Sequence, residues 1–273
     1  MTMAAGPNVW LFCPARNVWG SVPRLLREFH DLSVLLRIRG IGLKVLVIDD
    51  GSTDGTGEEL GRLVQEAPYP FLVLRRNAQG LGNATNIVAG YRWALEGARP
   101  GDLVGCCDAD GEHSPRAFMY HIDWLAEHPK FTGVVGSIVY PPHVGNHVDR
   151  SMMHFVGGVQ AGKAAADGPF YIQSPGFQLH RVESLDAAIA LLPAYRSFFE
   201  EQVGTEFPRW GMHGVILYLL AAFGARLHAA YLECFGEAPN RDADKLAAQA
   251  LAGLLHHKWL SEFIDAQGRR TAR

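Results

Sequence analysis

Residues 46–56 read LVIDDGSTDGT and residues 104–115 read VGCCDADGEHSP, each an apolar run that stops abruptly in carboxylates and small residues. A strand buried on both faces has this pattern when it carries acidic groups to the rim of a parallel sheet. Two such runs point to a sheet in which Asp49, Asp50, Asp108 and Asp110 emerge along one edge. An edge of that kind can hold a divalent cation and an anionic nucleotide.

The remaining periodicity agrees. Residues 9–13, 43–48, 71–74 and 103–107 read as strands, and 22–38, 55–66 and 83–97 as helices between them. Strand–helix–strand alternation predicts an α/β, doubly wound, mostly parallel sheet with helices on both faces, binding its ligands beyond the carboxyl ends of the strands. Ser114-Pro115 opens a further helix to about residue 126, and 132–139 is a strand. Beyond it the pattern predicts a loop at 140–146, a Gly-rich helical stretch at 151–166, and short strands at 170–172 and 177–179. A helix at 212–223, a strand at 226–234 and a final helix at 242–264 complete it, with no element assigned between 180 and 211. One domain is expected over 1–240, with a C-terminal amphipathic helix and tail (241–273) packed on or beside it. The pair His256-His257 on that helix reads as a solvated patch.

A net charge of −3 with no basic stripe argues against nucleic acid as a partner. Cys13, Cys106, Cys107 and Cys234 show neither zinc spacing nor a disulfide framework, so reduced, buried thiols in a cytoplasmic protein are expected. Cys106 and Cys107 should point to opposite sheet faces. No stretch reaches the ~18 apolar residues of a membrane span, so membrane contact is expected to be at most peripheral, at the inner surface. A homodimer is left open.

Three segments carry the chemistry. Pro14, Ala15 and Asn17 follow the first strand, and Asp49, Asp50 and Ser52 follow the second. A carboxylate there can accept hydrogen bonds from a nucleobase imide or ribose hydroxyls, with Ser52 or Thr53 capping the next helix; an Asp-Gly-Ser turn of no functional import is the plain alternative. Asp108-Ala109-Asp110 places two carboxylates on one side of an extended segment, suited to Mg²⁺ or Mn²⁺. Arg76, Asn77, Gly80 and Gly82 lie where a loop enters a helix, either receiving phosphate or sugar oxygens or forming an ordinary glycine-bearing turn.

In order and spacing these segments resemble the family-2 glycosyltransferases, which have a GT-A fold and move a sugar from a nucleotide sugar to an acceptor. DADGEHSP is similar to the DADxQHPP-type segment of the polyprenyl-phosphate (dolichol-phosphate mannose type) subgroup. The resemblance implies Asp108, Asp110 and Glu112 around a metal, Asp110 serving catalysis, and a UDP- or GDP-sugar donor. It further implies inverting transfer to an acceptor such as a polyprenyl phosphate, with Arg150, Gln178 and Arg181 on the acceptor side. GEAPNRDADKL at 236–246 is similar to a terminal element of the same subgroup.

Departures from the family pattern are informative. Val18 replaces the usual Glu of the first loop, and Met212-His213 stands where hydroxyl-directed members carry Glu-Asp. A hydroxyl must lose a proton as it attacks, whereas a lipid phosphate is already an anion. Either the acceptor is anionic, or Glu206 or His213 acts as base. A nucleotidyltransferase would carry a Gly-rich loop after the first strand, where CPARNVWGSVPR is poor in glycine. A non-catalytic nucleotide-sugar binder is the remaining alternative.

Overall fold

The computed structural model describes residues 6–66, 69–139, 176–204, 206–209, 211–233, 255–256 and 258–266. Within them β1 (Asn8–Ala15), β2 (Gly42–Asp49), β3 (Leu72–Arg76), β4 (Leu103–Cys106), β5 (Gly133–Val139), β6 (Gln178–Arg181) and β7 (Leu227–Glu233) form one sheet. Its order is β3-β2-β1-β4-β6-β5-β7. Strands β1 to β4 are parallel, β5 and β7 are parallel to each other, and β6 runs antiparallel to both its neighbours.

Alternation along the strands divides the core into two faces. Phe12, Leu46, Ile48 and Cys106 point to one, where they meet α3 (Asn83–Gly97), α5 (Val182–Val203) and α6 (Met212–Ala222). Leu11, Cys13, Val45, Val47 and Cys107 point to the other, under α1 (Val22–Ile38), α2 (Thr56–Glu66) and α4 (Phe118–Glu127). Adjacent Cys106 and Cys107 therefore do face opposite layers, as free buried thiols. Helices on both faces of a mostly parallel sheet are the expected architecture.

The structure adds α5, a 22-residue helix where periodicity assigned nothing. Its buried positions, Val182, Leu185, Ala188, Ile189, Leu192, Tyr195 and Phe199, follow the helical i, i+3, i+4, i+7 repeat. Pro193 inside the run hides that repeat, because proline ordinarily ends a helix.

Residues 255–256 and 258–266 are helical. Leu260 and Phe263 are buried in the face that contains α5, with the Phe263 ring 5.4 Å from that of Tyr195. Packing therefore takes the apolar side of this terminal helix. His256, expected in a solvated patch, is buried, and its Nδ1 lies 2.8 Å from the Tyr195 hydroxyl. No described helix is long and apolar enough to cross a membrane. The boundary expected near 240 and the elements expected at 140–146, 151–166 and 170–172 lie outside the described residues, as do Arg150 and the 236–246 segment.

Candidate functional site at the carboxyl edge

Strand register brings the acidic segments together. β1 lies between β2 and β4, with Ala15 opposite Asp49 and Phe12 opposite Cys106. The backbone pairing persists past both strands, through Asp50 N to Ala15 O (2.8 Å) and Cys107 N to Phe12 O (3.2 Å). Asp50 and Asp108 therefore leave the sheet at the same end, two interstrand spacings or about 10 Å apart.

On the β2 side the sequence-predicted residues mostly hold one another. Asp50 is buried; its Oδ1 accepts from Leu81 N (2.7 Å) and Asn77 Nδ2 (3.0 Å), and its Oδ2 from Gly82 N (3.0 Å). Burial raises its pKa, but hydrogen bonds from Asn86, Leu81, Asn77 and Gly82 outweigh it and keep the carboxyl below the ordinary value. Its carboxylate thus fixes the 77–82 turn. Gly51 (φ +66°) makes this possible, since a Cβ there would lie 2.7 Å from the backbone of Gln79 and Gly80.

The neighbouring groups are similarly engaged. Asp49 is buried and accepts from Ser52 N (3.1 Å), with Arg76 Nε 3.4 Å from its other oxygen. Arg76 also pairs with Glu58 at 2.7 Å, so it bridges two carboxylates of its own chain. Asn17 adopts a left-handed conformation (φ 54°), accepting from Thr53 N (2.9 Å) while its own N–H donates to Ser52 Oγ (3.0 Å). Ser52 thus ties two loops together and caps no helix. Pro14 and Ala15 are the last residues of β1.

On the β4 side, Ala109 is buried while Asp108, Asp110 and Glu112 are half-buried. Ser21 Oγ donates to Asp110 O (2.8 Å) and Glu112 N to Asp110 Oδ1 (3.0 Å), so the turn is pinned to the start of α1. The Cys13 thiol is pushed up chiefly by burial and, in smaller part, by the charges of Asp108 and Asp110. Among the described residues no three His, Cys, Asp or Glu side chains gather tightly enough to hold a metal unaided. Asp108, Asp110 and Glu112 are therefore not a closed ligand set.

Two acceptor-side expectations are corrected. Arg181 pairs with Leu103, the first residue of β4, at the end of the sheet opposite the aspartates. Its guanidinium donates to Phe131 O (3.0 Å) and Leu125 O (2.7 Å), closing loop carbonyls. Gln178 is fully buried. Its Oε1 accepts from Tyr91 (3.2 Å) and contacts His180 Nε2 (2.9 Å), while its Nε2 lies 3.3 Å from His213 Nδ1. Antiparallel β6 explains Arg181, because the strand runs away from the edge to which β1, β2 and β4 point. Gln178, opposite Cys106, stays beside that edge, but its amide is buried among Tyr91, His180 and His213.

Arg16 and Arg209 at this edge had no sequence signal, whereas Glu206 and His213, the two expected bases, lie close by. Arg16 is half-exposed, lies over Gly80 and stands 3.7 Å from Asp50 Oδ2. Arg209 is exposed, its stem packed on Gly82 and its carbonyl accepting from Ala84 N (3.0 Å). That contact lays 206–209, with exposed Glu206, across the start of α3. His213, second residue of α6, has Nδ1 3.6 Å from Cys106 Sγ, and its Nε2 is buried without a partner among the described residues. Burial foremost, then the charge of nearby His113, lowers its pKa to about 4.

Comparison with known proteins bears on this edge as a whole. The chain is 44% identical over 71 residues to the undecaprenyl-phosphate mannosyltransferase of Micrococcus luteus, a match covering 26% of this chain and 28% of that protein. It is 38% identical over 111 residues to the polyprenol monophosphomannose synthase of Mycolicibacterium smegmatis, covering 40% and 38%. The chain thus matches well under half the length of either relative. In fold it is similar to a Pyrobaculum calidifontis mannosyltransferase solved with GDP-Man and Mn²⁺, at TM-score 0.55 and 19% identity over 92% of this chain and 64% of that one. A model of the Glycosyl transferase family 2 matches residues 11–188, most of the chain and every acidic segment of the edge, and the protein belongs to that family.

Proposed function

We propose that the protein transfers a sugar from a nucleotide-sugar donor to an acceptor with the help of a divalent cation, inverting the anomeric centre. The observation that carries this is the convergence of the β2 and β4 acidic segments on one edge, within a chain of the Glycosyl transferase family 2. The relatives' names favour a GDP-mannose donor and a polyprenyl phosphate acceptor, read here as this chain's own substrates.

The residues present fit a hard cation. Asp108 and Asp110 offer carboxylate oxygens at the edge. Gly176 lets the Asp108 carboxylate lie directly against its backbone, since a Cβ there would run into the carboxylate. Such an ion, Mg²⁺ or Mn²⁺, takes one or two carboxylates and completes its shell from substrate phosphates, so an incomplete protein set is what it needs. When bound, it supplies neutralisation of charge on the departing diphosphate.

Around it the chain's own groups have separable tasks. Arg16 and Arg209, cations at the 80–82 turn, are placed to share the diphosphate charge. Asp50 holds that turn against the sheet. The absence of a Glu-Asp pair at 212–213 supports an anionic acceptor, which attacks without losing a proton. The competing reading, a hydroxyl acceptor, is favoured by Glu206 alone, an exposed carboxylate three residues from Arg209.

Asp108→Ala and Asp110→Ala are each expected to abolish transfer from GDP-mannose to a polyprenyl phosphate while leaving the thermal unfolding transition in place. Full turnover in the double variant would sink the metal assignment. Transfer to soluble hydroxyl acceptors, lost in Glu206→Ala, would establish the competing reading. A wild-type protein that binds donor but neither transfers nor hydrolyses it would be a non-catalytic binder.

A further inference from the structure

The hydrogen-bond chain behind β4 decides what His213 can do. Tyr91 donates its hydroxyl proton to Gln178 Oε1, and the same oxygen faces His180 Nε2 at 2.9 Å. With Oε1 receiving both, the amide's Nε2 points its hydrogens at His213 Nδ1, 3.3 Å away. Nδ1 must then be the accepting nitrogen, and a neutral ring carries its proton on Nε2.

The opposite amide orientation makes the reverse assignment, and the surroundings reject it. It would move the His180 proton to Nδ1, which has no partner and abuts its β5 neighbour Gly133. A stranded N–H in that dry interior is the costlier defect, because buried donors without acceptors are rarer than under-used acceptors. The assigned orientation instead leaves the unsatisfied N–H on His213 Nε2. That ring lies against Cys106, two residues before Asp108, and starts a helix whose leading segment crosses the 82–84 turn. Here an oxygen from a ligand can supply what the protein does not.

We propose that His213 acts in the reaction as a neutral hydrogen-bond donor, its Nε2–H directed to an oxygen of the bound substrates, and not as the proton acceptor. The assignment rests on the glycosyltransferase reading for its substrates but not for its tautomer. It removes one of two candidate bases and leaves either the acceptor's own charge or Glu206 as the source of nucleophilicity. Tyr91, Gln178 and His180 become positioning residues that set the proton on the outer nitrogen.

Nitrogen-15 NMR of histidine-labelled wild type, with His213 assigned through its Gln variant, reads the tautomer without turnover. A pyrrole-type Nε2 and a pyridine-type Nδ1 are expected; the inverse pattern overturns the proposal. In turnover, His213→Gln keeps an N–H near the Nε2 position and is expected to stay within about threefold of wild-type kcat/KM, while His213→Ala falls by roughly 10- to 100-fold. Gln as damaging as Ala would indicate a base. Ala equal to wild type would mean the Nε2–H meets only a buried water, and the substrate role would be lost. A wild type that moves no sugar would refute the transferase reading while leaving the NMR result to stand or fall alone.

Discussion

Asp50 shows how a residue can be central to a site and still face inward. Its carboxylate receives two backbone N–H groups and the Asn77 amide, all from a turn that begins 27 residues later. The sequence exposes the carboxylate at the strand end but not its orientation, because the partners are contributed by a separate element. Removing it leaves Leu81 N and Gly82 N without an acceptor. Asp50→Ala is therefore expected to cost about 2–4 kcal/mol in urea unfolding and to raise the donor KM, since the turn under Arg16 and Arg209 loosens. The sign with pH follows from the depressed pKa: this stabilisation is present above the unfolded carboxylate value of about 3.9 and is lost as pH falls through the lower folded one. An Ala variant with wild-type stability and KM would show that the turn holds itself.

Among the elements, β6 marks where periodicity stopped being informative. The four strands from β1 to β4 were legible because each is an apolar run with a helix after it, and parallel pairing then fixes which end carries the site. β6 is only Gln178–Arg181, it reverses direction, and its polar residues look like ligand contacts when read along the chain. Reversal places Arg181 at the far end of the sheet, bonded to the carbonyls of Leu125 and Phe131. α5 was missed for a complementary reason, an interior proline interrupting an otherwise regular buried face. If Arg181 joins α4 to β5, Arg181→Ala should lower stability by about 1–3 kcal/mol with kcat/KM unchanged for the folded fraction. A variant of normal stability whose acceptor KM rises would restore the acceptor-side role.

Over the whole molecule, the helical layers are joined through a sheet that buries imidazoles as well as apolar groups. His121 and His113 pack on Phe177, which stacks on Phe118 of α4, and His180 lies on β6 behind them. Both nitrogens of His113 and His121 are buried without hydrogen-bond partners among the described residues. Burial depresses all of them, His113 and His213 to about 4 and His121 and His180 to about 3. A base whose folded pKa lies below its unfolded value of about 6.5 stabilises the fold fully above that pH and progressively less as pH falls toward the folded value. Each such histidine contributes a slope of up to about 1.4 kcal/mol per pH unit, and the upper part of that window precedes carboxylate titration. The unfolding free energy should therefore drop steeply between about pH 6.5 and 4.5, in a range where an ordinary domain is near its maximum. His121→Phe keeps an aromatic ring against Phe118 and Phe177 while removing one titrating group, so it should change stability little at pH 7.5 and reduce the acid slope by about a quarter. Urea unfolding of both proteins at pH 7.5, 6.0 and 5.0 measures this. Parallel pH dependences would mean that the imidazoles reach water and that the layer over β6 is not the dry interior on which the His213 proton assignment depends.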